Sequence, residues 1–189
     1  MSTRQHASED ALGDLPCRRI ARPASAQVLV GGLGMGFTLA AALAAVGPGA
    51  MVTVAELIPA VIDWNRGELG GFSGRPLDDP RTRLFQGDVA DLLRRSRRRW
   101  DVIALDVDNG PDGLTQAAND TLYTAGGIAL AQAALAPGGV LAYWSAGPDR
   151  RFMKRLRRCG LAVEQVTVRA HAGKGARHVI WLATQDRET

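Results

Sequence analysis

Short apolar runs alternate along this chain with longer polar or amphipathic stretches, and that alternation predicts an architecture. Gln27 to Val30 is β-prone and runs straight into Gly32, Gly34 and Gly36. The uncharged, Ala-rich stretch from Thr38 to Val46 follows, so the segment reads as strand, glycine turn and buried helix. Gly47-Pro48-Gly49 stops the helix, and Met51 to Ala55 predicts a second strand ending in Glu56. Pro59 suits the first turn of a helix that continues through Asn65. Arg66 to Pro80 is rich in Gly, Pro and Asp and reads as a surface loop. A third strand, Arg81 to Gln86, reaches Gly87-Asp88. A short helix, Asp88 to Arg97, then leads through Trp100 into Asp101-Val-Ile-Ala-Leu-Asp106, an apolar run of the kind buried on both faces of a parallel sheet.

Beyond a polar loop from Val107 to about Thr121, the pattern gives a helix (Gly127 to Leu135), a turn at Pro137 and a fifth strand (Val140 to Trp144). A helix over Arg150 to Cys159 and strands at Ala162 to Val168 and His178 to Ala183 close the chain. A Gly-rich loop through Lys174 and Gly175, not a helix, joins those last two strands, so they are expected to pair antiparallel. Five strand-helix alternations followed by a terminal hairpin predict a doubly wound, mostly parallel seven-stranded α/β sandwich. Upstream, Ser8 reads as the N-cap of a helix with Glu9 and Asp10 in its first turn, with Leu12, Leu15 and Ile20 facing inward and Pro23 ending it. Residues 1–26 form an N-terminal helix and linker, and 27–189 one domain without internal repeat.

Composition narrows the class. At 189 residues, 46% hydrophobic and 22% charged, the sequence has the balance of one globular domain, not of a disordered chain. The apolar stretch from Phe37 to Val46 is well short of the roughly 20 residues a membrane span needs. Met1 to Asp10 is polar with charges of both signs, unlike a secretory leader, so the cytoplasm is the expected location. Cys17, Cys159 and the three histidines, His6, His171 and His178, show no ligand spacing, and no metal is expected. The net charge of +4 comes with arginines gathered at Arg94 to Arg99 and Arg150 to Arg158. Both groups read as helix ends or solvated outer faces, so no nucleic-acid partner is expected.

The glycine turn carries the first chemical signal. A dinucleotide fingerprint needs a glycine where Phe37 stands, and a phosphate loop needs a Gly-Lys-Ser/Thr ending; the spacing here is Gly-x-Gly-x-Gly. Three acids occupy one structural address, the carboxyl ends of successive strands: Glu56, Asp88 and Asp106. Ligands of open parallel sheets bind at that edge, where the strand order reverses. The donor set suits an adenosyl sulfonium compound. Glu56 can accept from both ribose hydroxyls and Asp88, beside Val89, from the adenine amino group, while Gly32, Gly34 and Gly36 let the ligand's tail pass close to the backbone. Asp88 alone would be equally explained as a helix cap. Gln5, His6 and Trp64 either line an acceptor pocket or serve packing and surface, and His178 reads as structural.

Val28 to Gly36, Val54 to Leu57, Gly87 to Val89 and Asp101 to Pro111 resemble, in order, the motifs of the spermidine synthase-like proteins. These are a branch of the Rossmann-like, class I S-adenosylmethionine-dependent methyltransferase fold. The resemblance spans about Ser8 to Ala183. It implies binding of S-adenosylmethionine or its decarboxylated form, an amine acceptor, no metal, and Asp106 as the residue that positions the amine and draws off its proton, with Asp108 and Asp112 adding negative potential. It also implies an aminopropyltransferase, with a small-molecule methyltransferase or a catalytically degenerate cofactor-binding member as alternatives, because several family features differ. The N-terminal β-stranded segment is expected to be lacking. No tyrosine stands in His6-Ala7-Ser8-Glu9, Asn109 replaces a second aspartate, and Ile58 replaces an acid two places after Glu56. Exposed strands near the C-terminus make a homodimer the expected assembly.

Overall fold

The computed structural model describes residues 6–106, 121–171 and 174–185. Among them seven strands form one sheet: β1 (Gln27–Gly31), β2 (Met51–Glu56), β3 (Thr82–Gln86), β4 (Trp100–Leu105), β5 (Leu135–Ser145), β6 (Leu161–His171) and β7 (Lys174–Gln185). Their order is β3-β2-β1-β4-β5-β7-β6. The first five run parallel, and β7 inserts antiparallel between β5 and β6. The helices among the described residues are α1 (Ala7–Cys17), α2 (Phe37–Ala45), α3 (Pro59–Arg66), α4 (Val89–Arg95), α5 (Ala125–Ala134) and α6 (Arg150–Arg158). The sheet is thus the doubly wound sandwich with a C-terminal antiparallel pair that the alternation predicts. None of the described helices is long and apolar enough to cross a membrane.

Two apolar clusters, one on each face, explain the near-continuous hydrophobicity of the central strands. Successive residues of a strand point to opposite faces. In β4, Val102 and Ala104 join Val28, Val30, Val52, Val54, Ala142 and Ile180 beneath α1 and α2. Ile103 and Leu105 join Leu29, Leu141, Tyr143, Trp181 and Phe152 on the other face, with α4, α5 and α6. Every one of these side chains is buried. Arg81, just ahead of β3, donates through Nη1 to the carbonyls of Leu43 and Val46. A cation there satisfies carbonyls that the end of α2 leaves without helical partners.

The structure corrects several boundaries. Ser8 is not the cap of α1: His6 holds the cap position without a side-chain cap bond, and Ser8 lies inside the first turn with its hydroxyl engaged elsewhere. The helix ends at Cys17, well before Pro23, which begins a short 3-10 turn instead. The segment expected to be a loop between Arg66 and Pro80 holds two further 3-10 turns, Gly70–Ser73 and Pro76–Asp78. The expected turn at Pro137 lies inside the bounds of β5 as a bulge: pairing with β4 passes from Trp100 with Leu135 to Val102 with Val140, and Gly138 between them has a φ of 76°. The closing strand starts at Lys174, not His178, because backbone pairing in an antiparallel hairpin continues through Arg169 and Arg177 whatever their polarity.

Candidate functional site

The sheet order reverses between β1 and β4, and the glycine turn and Asp106 meet at that point. The chain leaves β1 through Gly32, Gly34 and Gly36 at φ of 93°, 52° and 85°, values that side-chain-bearing residues rarely adopt. Gly32 has a second reason to be glycine. A Cβ built on it would lie 2.3 Å from the carbonyl oxygen of Asp106. The Asp106 amide in turn donates to the Gly31 carbonyl at 2.8 Å, so the glycine turn and the tip of β4 are locked together.

Asp106 is half-buried, immediately beyond β4. Its Oδ2 accepts from the Thr38 hydroxyl, in the first turn of α2, at 3.0 Å. Burial pushes its carboxyl up to about 7, the Glu9 charge adds to the rise, and the Thr38 hydrogen bond opposes it. Near neutral pH this group is therefore poised between a carboxylate and its acid, the condition for taking up a proton and releasing it again.

Glu56 closes β2 and is buried. Its Oε2 accepts from the Leu33 amide at 3.0 Å and its Oε1 from the Ile58 amide at 2.8 Å, which fixes the carboxylate plane against the glycine turn. Among the described residues no cation is paired with it. Each oxygen keeps an acceptor position, so a vicinal diol brought to this edge would meet a pre-oriented two-oxygen acceptor. The backbone carbonyl of Glu56 accepts from Gly87 at 2.8 Å, which brings the end of β3 alongside. Asp88 caps α4, its Oδ1 accepting from Ala90 at 2.8 Å. The capping role is thus present, and among the described residues Oδ2 accepts no hydrogen bond. Val89 is buried with its side chain against Gly31. Asp108 and Asp112 lie outside the described residues, as does Gln5. Trp64 is exposed on α3.

Two features of the site escape a reading of the sequence. Asn65, fully inside α3, donates from Nδ2 to the carbonyls of Gly34 and Val61, both at 2.8 Å, and so pins the glycine turn. Its only signal is a polar residue three places after buried Ile62, on the same helix face. The second feature is the first turn of α1. His6 stacks on Phe37 with ring centroids 4.0 Å apart and binds Asp10 at 2.7 Å, while the Ser8 hydroxyl contacts both Glu9 and His178. No local pattern could pair Ser8 with a residue near the far end of the chain. Among the described residues no group of His, Cys, Asp and Glu is arranged to hold a metal ion.

Residues 6–149 match the profile of the spermine/spermidine synthase domain. No curated protein matches the chain in sequence. Among solved structures, the fold is similar to that of spermidine synthase from Thermotoga maritima, at a TM-score of 0.76 and 21% identity over 95% of this chain and 60% of that one. A spermidine synthase in complex with the transition state analogue AdoDATO gives 0.74 and 21%, over 95% and 59%. Human methyltransferase-like protein 13 in complex with SAH gives 0.70 and 19%, over 98% and 84%. The chain therefore spans about three-fifths of the length of the spermidine synthases it matches.

Proposed function

The chain belongs to the spermine/spermidine synthase domain family, and from that premise we propose that it is an aminopropyltransferase acting on a polyamine-type amine. Its family and its structural neighbours are transferases. The residues fit an adenosyl sulfonium compound: among the described residues Glu56 is a buried carboxylate with no cation paired to it and an open acceptor position on each oxygen, and Asp88, one strand away, has an oxygen that accepts no hydrogen bond. When bound, that compound supplies an electrophilic carbon next to a positively charged sulfur, which leaves as a neutral thioether.

The chain's own residues do the rest. Glu56 would hold the ribose and Asp88 the adenine amino group, and the glycine turn would leave room over the backbone for the tail. Asp106 is assigned the acceptor amine. Such an amine is mostly protonated at neutral pH and has no lone pair to attack with until a proton is lost. A carboxyl held at about 7 can attract the cation while ionised and then take up its proton. Alignment of nitrogen, carbon and sulfur supplies much of the remaining rate.

The observation that carries this reading is the position and raised proton affinity of Asp106, at the point where β1 and β4 meet. A second reading, methyl transfer from S-adenosylmethionine, is favoured by one fact. The fold is similar, at a TM-score of 0.70, to that of human methyltransferase-like protein 13 in complex with SAH. Incubating the protein with S-adenosylmethionine or its decarboxylated form and a panel of amines separates the two by mass spectrometry. Methylthioadenosine with an aminopropylated amine supports the first. S-adenosylhomocysteine supports the second, and no nucleoside product from either compound overturns both.

A further inference from the structure

Helix α1 is pressed unusually close to α2. A Cβ on Gly13 would fall 2.3 Å from the carbonyl oxygen of Thr38 and 2.8 Å from the Ala42 amide, so the two backbones nearly touch there. Residues four apart share a helix face, and Glu9 is therefore carried, one turn earlier, toward the start of α2. That is where Thr38 donates to Asp106. His6, stacked on Phe37, anchors the same turn to the same place.

We propose that Glu9 is a positioning residue for the Asp106 base: a carboxylate fixed beside it by Ser8 and His178, acting on Asp106 and not on the electrophile. The proposal rests on the aminopropyltransferase reading for its chemistry, but its geometry stands apart from it. Ser8 is fully buried. Its hydroxyl has one proton, which goes to Glu9 Oε2 at 2.6 Å. The 2.8 Å contact between Ser8 Oγ and His178 Nδ1 is then a bond donated by the imidazole N–H. The ring itself is set by Trp144 of β5, which meets it edge-on at 4.9 Å between centroids. Hydrogen bonds thus run from His178 of β7 through Ser8 to Glu9 on α1 and fix where the Glu9 charge sits, and from there it acts on Asp106 through space.

Among the described residues, the other titratable groups near Asp106 do not offer the same service. His6 and Asp10 on α1 are paired with each other. Glu56 lies on the other side of the glycine turn, tied to two backbone amides. Helix α2 presents Thr38, and β1 and β5 contain no charged residue. Glu9 is the neighbour whose charge raises the proton affinity of Asp106. In the transfer, the amine N–H pair becomes the new N–C bond, the proton passes to Asp106, and the C–S pair leaves with sulfur. A carboxylate beside Asp106 favours that uptake, because the proton it gains relieves a repulsion.

The test is made on the full chain, with a readout that needs no turnover. Carbon-13 NMR of the side-chain carboxyls, with the Asp106 resonance assigned by its loss in Asp106→Asn, follows its titration in wild type and in Glu9→Gln. We expect the Asp106 midpoint to fall by on the order of one pH unit in Glu9→Gln. His178→Leu and Ser8→Ala should broaden or move it, and His178→Asn, which keeps an N–H at the same place, should restore wild-type behaviour. An unmoved midpoint in folded Glu9→Gln overturns the proposal. Should that variant not fold, nitrogen-15 spectra of wild-type His178 decide: the Nδ1–H form is required, and the Nε2–H form alone refutes the arrangement. If the wild type turns over amines, the acidic limb of kcat/KM must move with the NMR midpoint. Absence of turnover defeats the proposed reaction and leaves the NMR result to judge the positioning on its own.

Discussion

The Thr38 hydroxyl donates to Asp106 Oδ2 at 3.0 Å, joining the first turn of α2 to the tip of β4. This bond stabilises the charged form of Asp106 and opposes the upward push of burial. Thr38→Val keeps the shape and removes the donor. Hydrogen bonds to charged groups contribute about 1.5–3 kcal/mol, so the Asp106 midpoint should rise by on the order of one pH unit above its value near 7. The expected outcome is an amine transfer rate depressed at pH 6.5 and close to wild type at pH 9, read from the pH profile of kcat/KM. A profile identical to wild type would remove Thr38 from the control of Asp106.

Asp106→Asn removes the proposed base without changing its size. Turnover should fall by about 10²–10⁴-fold, the range of a positioned general base. Nucleoside affinity should hold, because Glu56 and Asp88 carry the assigned nucleoside contacts and neither depends on the Asp106 side chain. Steady-state rates with calorimetry on the same preparation check both halves.

The same substitution has a stability signature with a definite sign. The Asp106 carboxyl stands at about 7 in the folded chain against an ordinary 3.8. The folded state therefore holds a proton that the unfolded state releases first. Its stabilising effect is complete below the ordinary value and is lost as pH rises to about 7. Asparagine does not ionise. Urea denaturation should show Asp106→Asn gaining on wild type between about pH 4 and pH 7 and holding a constant margin above, on the order of 2 kcal/mol once solvent reach is allowed for.

Glu56 offers a separable effect. Glu56→Gln replaces one acceptor oxygen with an NH2 group, which must face the amide of Leu33 or Ile58, donor against donor. An unmatched buried donor costs about 1–3 kcal/mol, and the assigned ribose acceptor is lost with it. Nucleoside binding by calorimetry should weaken by at least about tenfold, while the Asp106 titration stays in place. Equal affinity in the variant would place the nucleoside elsewhere.

What the sequence discloses follows from how locally each feature is encoded. The order of strands and helices, the glycine turn and the strand-tip positions of Glu56, Asp88 and Asp106 are written in neighbouring residues, because periodicity and turn chemistry act over a few places in the chain. The link from Ser8 to His178 spans most of the chain and left no such trace. Ser8 followed by two acids was an ordinary helix start by local rules, yet tertiary packing gave its hydroxyl to a strand and left the cap position to His6. Asn65 was legible as a helical residue but not as the clamp on Gly34, since that depends on where α3 docks. The bend at Pro137 was legible, but not that Leu135 ahead of it pairs with Trp100, which makes the bend a bulge within β5 and not its start.

Gly32 links that local legibility to the site, and it can be tested against an internal control. Both Gly32 and Gly138 have positive φ, 93° and 76°. A Cβ at Gly138 would meet nothing within 4 Å, whereas at Gly32 it would meet the Asp106 carbonyl oxygen at 2.3 Å. Gly138→Ala should therefore cost only the conformational penalty, about 1–2 kcal/mol. Gly32→Ala must add the separation of β1 from β4, and a total of about 3–5 kcal/mol is expected from urea unfolding. In whatever fraction remains folded, the displaced β4 tip carries the Asp106 carboxyl away from Thr38, so the carboxyl resonance should move as it does in Thr38→Val. Equal costs for the two alanines would mean that the meeting of β1 and β4 is not the tight junction on which the placement of Asp106 depends.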